Sequence, residues 1–144
     1  MLILAYDVGT SGVKTCLYRA GEELTLVNSR LGTYGLTILP NGGAEQDPDQ
    51  WWDAIVKTTR ELTRENPQEM AAVQAISFCS QMQALVLVDK AGHHLRPAMS
   101  YMDQRAAEQK RRGLETGAKI AGMNAKKLLS SLYRTSAVSA SVKD

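Results

Sequence analysis

The stretch Ala5-Tyr6-Asp7-Val8-Gly9-Thr10-Ser11-Gly12-Val13-Lys14-Thr15 constrains the fold more than any other. An apolar run over residues 2–6 ends in a single acid, two glycines bracket two hydroxyls, and a second run over residues 13–18 follows at once. The pattern predicts a strand, a tight turn and an antiparallel return strand. Asp7 then stands where the first strand leaves the core. Gly9 and Gly12 are expected to take positive φ and to let backbone approach a ligand closely. Turn amides, with the Thr10 and Ser11 hydroxyls, can wrap a phosphate. A carboxylate beside a phosphate needs a cation between them, so Mg²⁺ with its waters is expected at Asp7. An ordinary polar hairpin turn explains the same residues without a ligand. Neither G-x-x-x-x-G-K-[ST] nor G-x-G-x-x-G is present, so a phosphate site here is of the hairpin kind.

The 144 residues suffice for one domain with a real core, and a net charge of +2 argues against nucleic acid or another polyanion as partner. Lys110-Arg111-Arg112 reads as a solvated helix end. No apolar stretch reaches the length of a membrane span, and the start lacks a basic n-region and cleavage site. Cys16 and Cys79 lie far apart in strand-like runs, without metal-ligand spacing. Two buried free thiols in a reducing cytoplasm are expected.

Further along, residues 21–23 turn the chain and residues 24–30 read as a third strand, followed by a glycine-rich loop over 33–43. Asp47 is the expected cap of the next helix, Pro48 its first residue, and Gln50 completes a capping box. Trp51, Ile55 and Leu62, with Trp52 and Val56 beside them, form its apolar stripe. Asn66-Pro67 should stop it. Residues 72–78 read as a strand buried on both faces and 84–88 as a fifth strand, with Gln81-Met82-Gln83 between them and a turn at 89–92. A helix capped by Asp103 is expected to about Leu114, then short helical pieces at 119–123 and 125–132 and a small polar tail over 133–144. Glu45, Asp47 and Asp49 are explained by capping and dipole compensation. His93 and His94 are expected in a solvated loop rather than on a metal.

The order β-β-β-α-β-β-α matches an α/β, ribonuclease H-like half of the actin, hexokinase and sugar kinase superfamily: a mixed sheet with an antiparallel β-β-β start, here incomplete. Four motifs sharpen this. They are Asp7-Val8-Gly9-Thr10-Ser11-Gly12-Val13-Lys14; Ala44-Glu45-Gln46-Asp47-Pro48-Asp49-Gln50-Trp51-Trp52; Ser80-Gln81-Met82-Gln83-Ala84-Leu85-Val86-Leu87-Val88-Asp89; and Leu95-Arg96-Pro97-Ala98-Met99 with Asp103-Gln104-Arg105. In order and spacing they resemble the amino-terminal part of the FGGY carbohydrate kinases, the family of xylulokinase, gluconokinase and glycerol kinase, with the xylulokinase-like branch the best fit.

The resemblance implies ATP-dependent phosphorylation of a sugar or polyol hydroxyl. Asp7 would hold Mg²⁺, while Gly9, Thr10, Ser11 and Lys14 would bind nucleotide phosphate. Gln81, Met82, Gln83, Tyr101 and Asp103 would face the sugar. Gln83 replaces the histidine of typical xylulokinases, and Ser100-Tyr101-Met102 replaces an apolar-Trp-Asn run, so the sugar need not be xylulose. Gln83 still offers a donor and an acceptor but cannot become cationic. Relatives are several times longer, and the resemblance puts the catalytic base and adenine site beyond Asp144. Residues 1–144 are thus expected to be a truncated first domain without kinase activity of its own, prone to self-association as a homo-oligomer. A non-catalytic remnant acting as an interaction module is the alternative.

Overall fold

Period-two alternation on the first strand sets the orientation of everything behind it. The computed structural model describes residues 1–112, 116, 119–120, 122–124 and 127–128. The elements in chain order are β1 (Leu2–Val8), β2 (Gly12–Ala20), β3 (Leu24–Thr33), β4 (Thr37–Ile38), β5 (Ala44–Gln46), α1 (Pro48–Glu65), α2 (Pro67–Ala71), β6 (Val73–Ser80), β7 (Ala98–Met99) and α3 (Ala107–Lys110). They form two compact units, one made of Met1–Leu36 with Asp47–Gln81, the other of Thr37–Gln46 with the described residues from Met82 onward.

The first unit is a four-stranded sheet in the order β3-β2-β1-β6. β1 and β2 are antiparallel in the register Leu4↔Leu17, Tyr6↔Thr15 and Asp7↔Lys14. β6 runs parallel to β1, which requires a crossover, and α1 supplies it. Leu2, Leu4 and Tyr6 point to the helix side, where they meet Val13, Leu17, Ala54 and Leu62 in one core. Full burial of a leucine such as Leu17 or Leu62 is worth roughly 1.5–3 kcal/mol relative to exposure.

Asp47 caps α1 as expected, its Oδ1 accepting the Asp49 amide at 3.0 Å, and Pro48 opens the helix. The Gln50 side-chain oxygen accepts the Gly35 amide at 3.1 Å, tying the helix start to the chain that leaves β3. The helix face keeps Leu62 of the expected stripe, with Ile55 packed beside it, but differs in the rest. Ala54, Thr58 and Leu62 are its buried residues, and Trp52 is 66% exposed. The reason is a close approach: a Cβ on Gly32 of β3 would stand 3.1 Å from both the Ala54 Cβ and the Thr58 Cγ2. Only small side chains fit there. Thr58 pairs its hydroxyl with that of Thr15 at 2.7 Å and with the Ala54 carbonyl at 2.8 Å, so its burial leaves no polar atom stranded. Asn66 ends the helix and Pro67 begins α2.

β6 is longer than expected and is not buried on both faces. It is an edge of the sheet, with Ile76 60% and Phe78 64% exposed. Phe78 finds partial cover by stacking on Tyr6, ring centroids 4.8 Å apart. For the same reason Cys79 is exposed, while Cys16 is buried as expected.

The second unit contains the short sheet β4-β5-β7. The loop expected over 33–43 therefore includes two strand residues, Thr37 and Ile38, paired with Glu45 and Ala44. Gly42, at φ +83°, closes the turn between them, with its amide on the Leu39 carbonyl at 3.0 Å. The strand expected over 84–88 reduces to two isolated bridges, Leu85 to Met99 and Val88 to His94, around the anticipated turn, where Gly92 donates to the Asp89 carbonyl. His93 lies exposed beside Asp89. α3 starts at Ala107, not at Asp103. Ile120 and Met123 bridge each other around Gly122, at φ +76°, where a helical piece was expected. The piece at 125–132 lies outside the described residues apart from Lys127 and Leu128, and the tail over 133–144 lies wholly outside them. Among the described residues no helix is long and apolar enough to cross a membrane.

Candidate phosphate and substrate site

The hairpin turn is closed by the Gly9 amide donating to the Gly12 carbonyl at 2.9 Å. Contrary to the sequence expectation, neither glycine has positive φ. They are required for closeness instead. A Cβ on Gly12 would come 2.5 Å from the Gly32 carbonyl oxygen, and one on Gly9 would come 3.3 Å from the Gly12 oxygen.

Asp7 emerges on the sheet face opposite α1, between Lys14 on β2 and Cys79 on β6. These residues, with Cys16, Tyr18 and Ser77, line an open cavity of about 350 Å³. Among the described residues neither Asp7 nor Lys14 enters a side-chain hydrogen bond or ion pair, although they are direct cross-strand partners. Asp7 is thus a solvated carboxylate with uncommitted oxygens next to a turn rich in amides and hydroxyls. That donor set suits a hard cation held partly through water. Thr10 is half-buried and Ser11 exposed in the turn, and the Gln81 amide donates to the Val8 carbonyl at 2.7 Å. Gln81 therefore belongs with Asp7, Gly9, Thr10, Ser11 and Lys14 in the first unit.

Met82, Gln83, Tyr101 and Asp103 fall in the second unit. Met82 is 78% exposed. Gln83 has φ +65°, the left-handed region that a non-glycine residue adopts at some cost. Tyr101 is exposed just after the buried Ser100. The Asp103 side chain is only 3% exposed. Its Oδ2 accepts the Ala44 amide at 3.0 Å, its Oδ1 accepts the Arg105 amide at 3.0 Å, and the Arg105 guanidinium grips both oxygens. Burial by itself would raise the carboxyl, but the Arg105 guanidinium and the two amides outweigh it and bring Asp103 from 3.8 down to about 2. Arg105 also reaches Glu45 at 2.7 Å, and Arg96 pairs with the same glutamate. Glu45 is therefore an ion-pair acceptor rather than part of the helix cap.

Two features escaped the sequence. Glu45, Arg96 and Arg105 stood in the motifs, but nothing in their spacing showed that they pair with one another. Tyr34 gave no periodic or motif signal, yet its hydroxyl donates to the Gly9 carbonyl at 2.5 Å and its amide to the Ser11 carbonyl at 3.3 Å.

The family description "FGGY family of carbohydrate kinases, N-terminal domain" matches residues 2–140. The chain belongs to the FGGY family of carbohydrate kinases. It is 34% identical over 109 residues to a xylulose kinase of Staphylococcus epidermidis, an alignment covering 75% of this chain and 21% of that one. A xylulose kinase of Escherichia coli is 32% identical over 110 residues, covering 75% and 22%. Among solved structures, a xyloylose kinase from Brucella ovis superposes with a TM-score of 0.69 at 28% identity, over 95% of this chain and 30% of that one. The chain spans about a fifth of the length of the curated relatives it matches. The α/β fold with its mixed sheet is that of the actin-like and hexokinase-like sugar kinases.

Proposed function

We propose that these residues form the amino-terminal part of the first domain of a kinase that phosphorylates a hydroxyl of a sugar or polyol at the expense of ATP. The observation that carries this reading is the uncommitted, exposed carboxylate of Asp7 at the end of β1, beside the turn closed by Gly9 and Gly12. Residues 9–11 would cradle nucleotide phosphate through amides and the Thr10 and Ser11 hydroxyls, with Lys14 adding a positive charge across the hairpin. Asp7 would hold Mg²⁺ through water, and the ion when bound would neutralise charge developing on the phosphates. Gln81, Met82, Gln83 and Tyr101 would contact the sugar. Asp103, with its oxygens already occupied, would brace the Tyr101 segment. No general base is assigned to these residues. The two free cysteines, one of them exposed, suit a reducing compartment such as the cytoplasm.

The curated relatives are named for xylulose and gluconate, and a structural neighbour for glycerol, so a panel of these acceptors with Mg-ATP is the direct assay. The intact protein should phosphorylate at least one of them. Asp7→Asn should lower kcat about a hundredfold, because charge stabilisation is a large part of phosphoryl-transfer catalysis. Absence of turnover on every acceptor would favour a non-catalytic binding module instead, whereas an Asp7→Asn variant with near-normal kcat would show that Asp7 does not organise the metal.

A further inference from the structure

We propose that Tyr34 is a positioning residue of the phosphate turn, its hydroxyl on the Gly9 carbonyl and its amide on the Ser11 carbonyl fixing which way the turn presents its amides. The proposal rests on the kinase reading above and adds to it a residue outside the hairpin.

The turn carries a bond of its own and two that reach it from outside the hairpin. Its closing bond is that from the Gly9 amide to the Gly12 carbonyl. Two other carbonyls of the turn, Gly9 and Ser11, are both claimed by Tyr34, at 2.5 Å and 3.3 Å. In a trans peptide the C=O and the following N–H point in opposite directions. Drawing the Gly9 carbonyl toward Tyr34 therefore aims the Thr10 amide away from it, and drawing the Ser11 carbonyl does the same for the Gly12 amide. Carbonyl oxygens turned outward would repel an anion, while amides turned outward attract one. Tyr34 thus selects the anion-binding orientation of two peptides of the turn, Gly9–Thr10 and Ser11–Gly12.

Tyr34 is itself well placed to act as a fixed point. Its ring packs against the apolar core, and the next residue, Gly35, is anchored by Gln50 in the first turn of α1. Burial, followed by the nearby Asp7 charge, pushes its phenol above the ordinary value of 10.0, so it stays a donor throughout the neutral range.

Tyr34→Phe in the intact protein keeps the ring and removes the hydroxyl. Two measurements separate the proposal from the reading it rests on. Amide hydrogen exchange at Gly9 and Tyr34, whose amides are bonded to the Gly12 and Ser11 carbonyls, should speed up about tenfold without nucleotide, the scale of one lost hydrogen bond, with the β1 and β2 amides unchanged. In steady-state kinetics the KM for ATP should rise, or kcat fall, by about tenfold, with the sugar KM and Tm close to wild type. Unchanged exchange in the turn would overturn the proposal. So would faster exchange with unaltered kinetics, since Tyr34 would then be merely structural. Failure of the kinase reading shows in the wild-type arm alone, as absence of phosphorylation, and would take the positioning role with it.

Discussion

The two units of the chain bury different chemistry. In the sheet unit Val13, Leu17 and Leu62 are wholly enclosed, and the buried hydroxyls of Thr15 and Thr58 satisfy each other. Among the described residues of the unit around β4, β5 and β7, the buried apolar ones are two alanines, Ala44 and Ala98, while Gln46, Ser100 and Asp103 are the polar groups removed from water. The first is held by apolar area, which is non-directional and tolerant of small shifts. The second is held by directed bonds around Asp103, Arg105 and Glu45, where one lost partner strands a charge. The proposed phosphate turn sits on the tolerant scaffold, and Tyr101 sits beside the demanding one.

The largest effect should come from attacking the apolar unit. Leu62→Ala removes a wholly buried side chain from the face of α1 that meets the sheet. It should destabilise by about 2–5 kcal/mol, depending on how far the core collapses into the cavity. Chemical denaturation should show a lowered midpoint at unchanged slope. A loss below about 0.5 kcal/mol would mean that α1 does not seal the core.

Asp103→Asn attacks the other unit. It leaves Arg105 facing a neutral amide and weakens the bond from the Ala44 amide. About 2 kcal/mol is expected, less than for a fully buried pair because the Arg105 side chain is 25% exposed. The acid limb offers the same test without mutation. Asp103 titrates near 2 in the folded chain against 3.8 ordinarily, so its contribution is fully present above 3.8 and fades as pH falls toward 2. Its size is on the order of 2 kcal/mol. The Ala44 amide resonance should move with a midpoint near 2 in wild type and not in the variant. An Ala44 shift that titrates near 3.8 would show that the guanidinium does not hold the carboxylate.

The same contrast governs what could be read in advance. β1, the turn, β2 and the cap of α1 were legible because alternation and capping are local in sequence. Of the buried face of α1, Leu62 and Ile55 were legible, but Ala54 and Thr58 were not, because their approach to Gly32 is a tertiary event that demands small side chains whatever the helical period suggests. The run over 84–88 is apolar enough to imitate a strand, but in the fold only Leu85 and Val88 of it find bridge partners. The bond from Ala44 to Asp103 spans 59 residues, and that from Tyr34 to Gly9 spans 25. Nothing in the spacing of those residues announces either. Of the candidate site, therefore, the residues proposed to face phosphate carried a motif, while Tyr34, proposed to position them, did not.

The smallest effect concerns a polar bond inside the apolar unit. The Asp47 carboxylate accepts the Asp49 amide at 3.0 Å, with its backbone extended at φ −84° and ψ 116°, as a cap requires. Asp47→Ala should cost about 1 kcal/mol, and Asp47→Ser should recover most of it because a hydroxyl can accept the same amide. The loss should remain confined to the first turn of α1, since Ala54, Thr58 and Leu62 still hold the helix to the sheet. Hydrogen exchange should then quicken at residues 49–51 and stay slow beyond residue 54. If exchange instead quickened along the whole of α1, the helix would depend on its cap rather than on burial. The sheet unit would then be held by the same kind of directed bond as its neighbour.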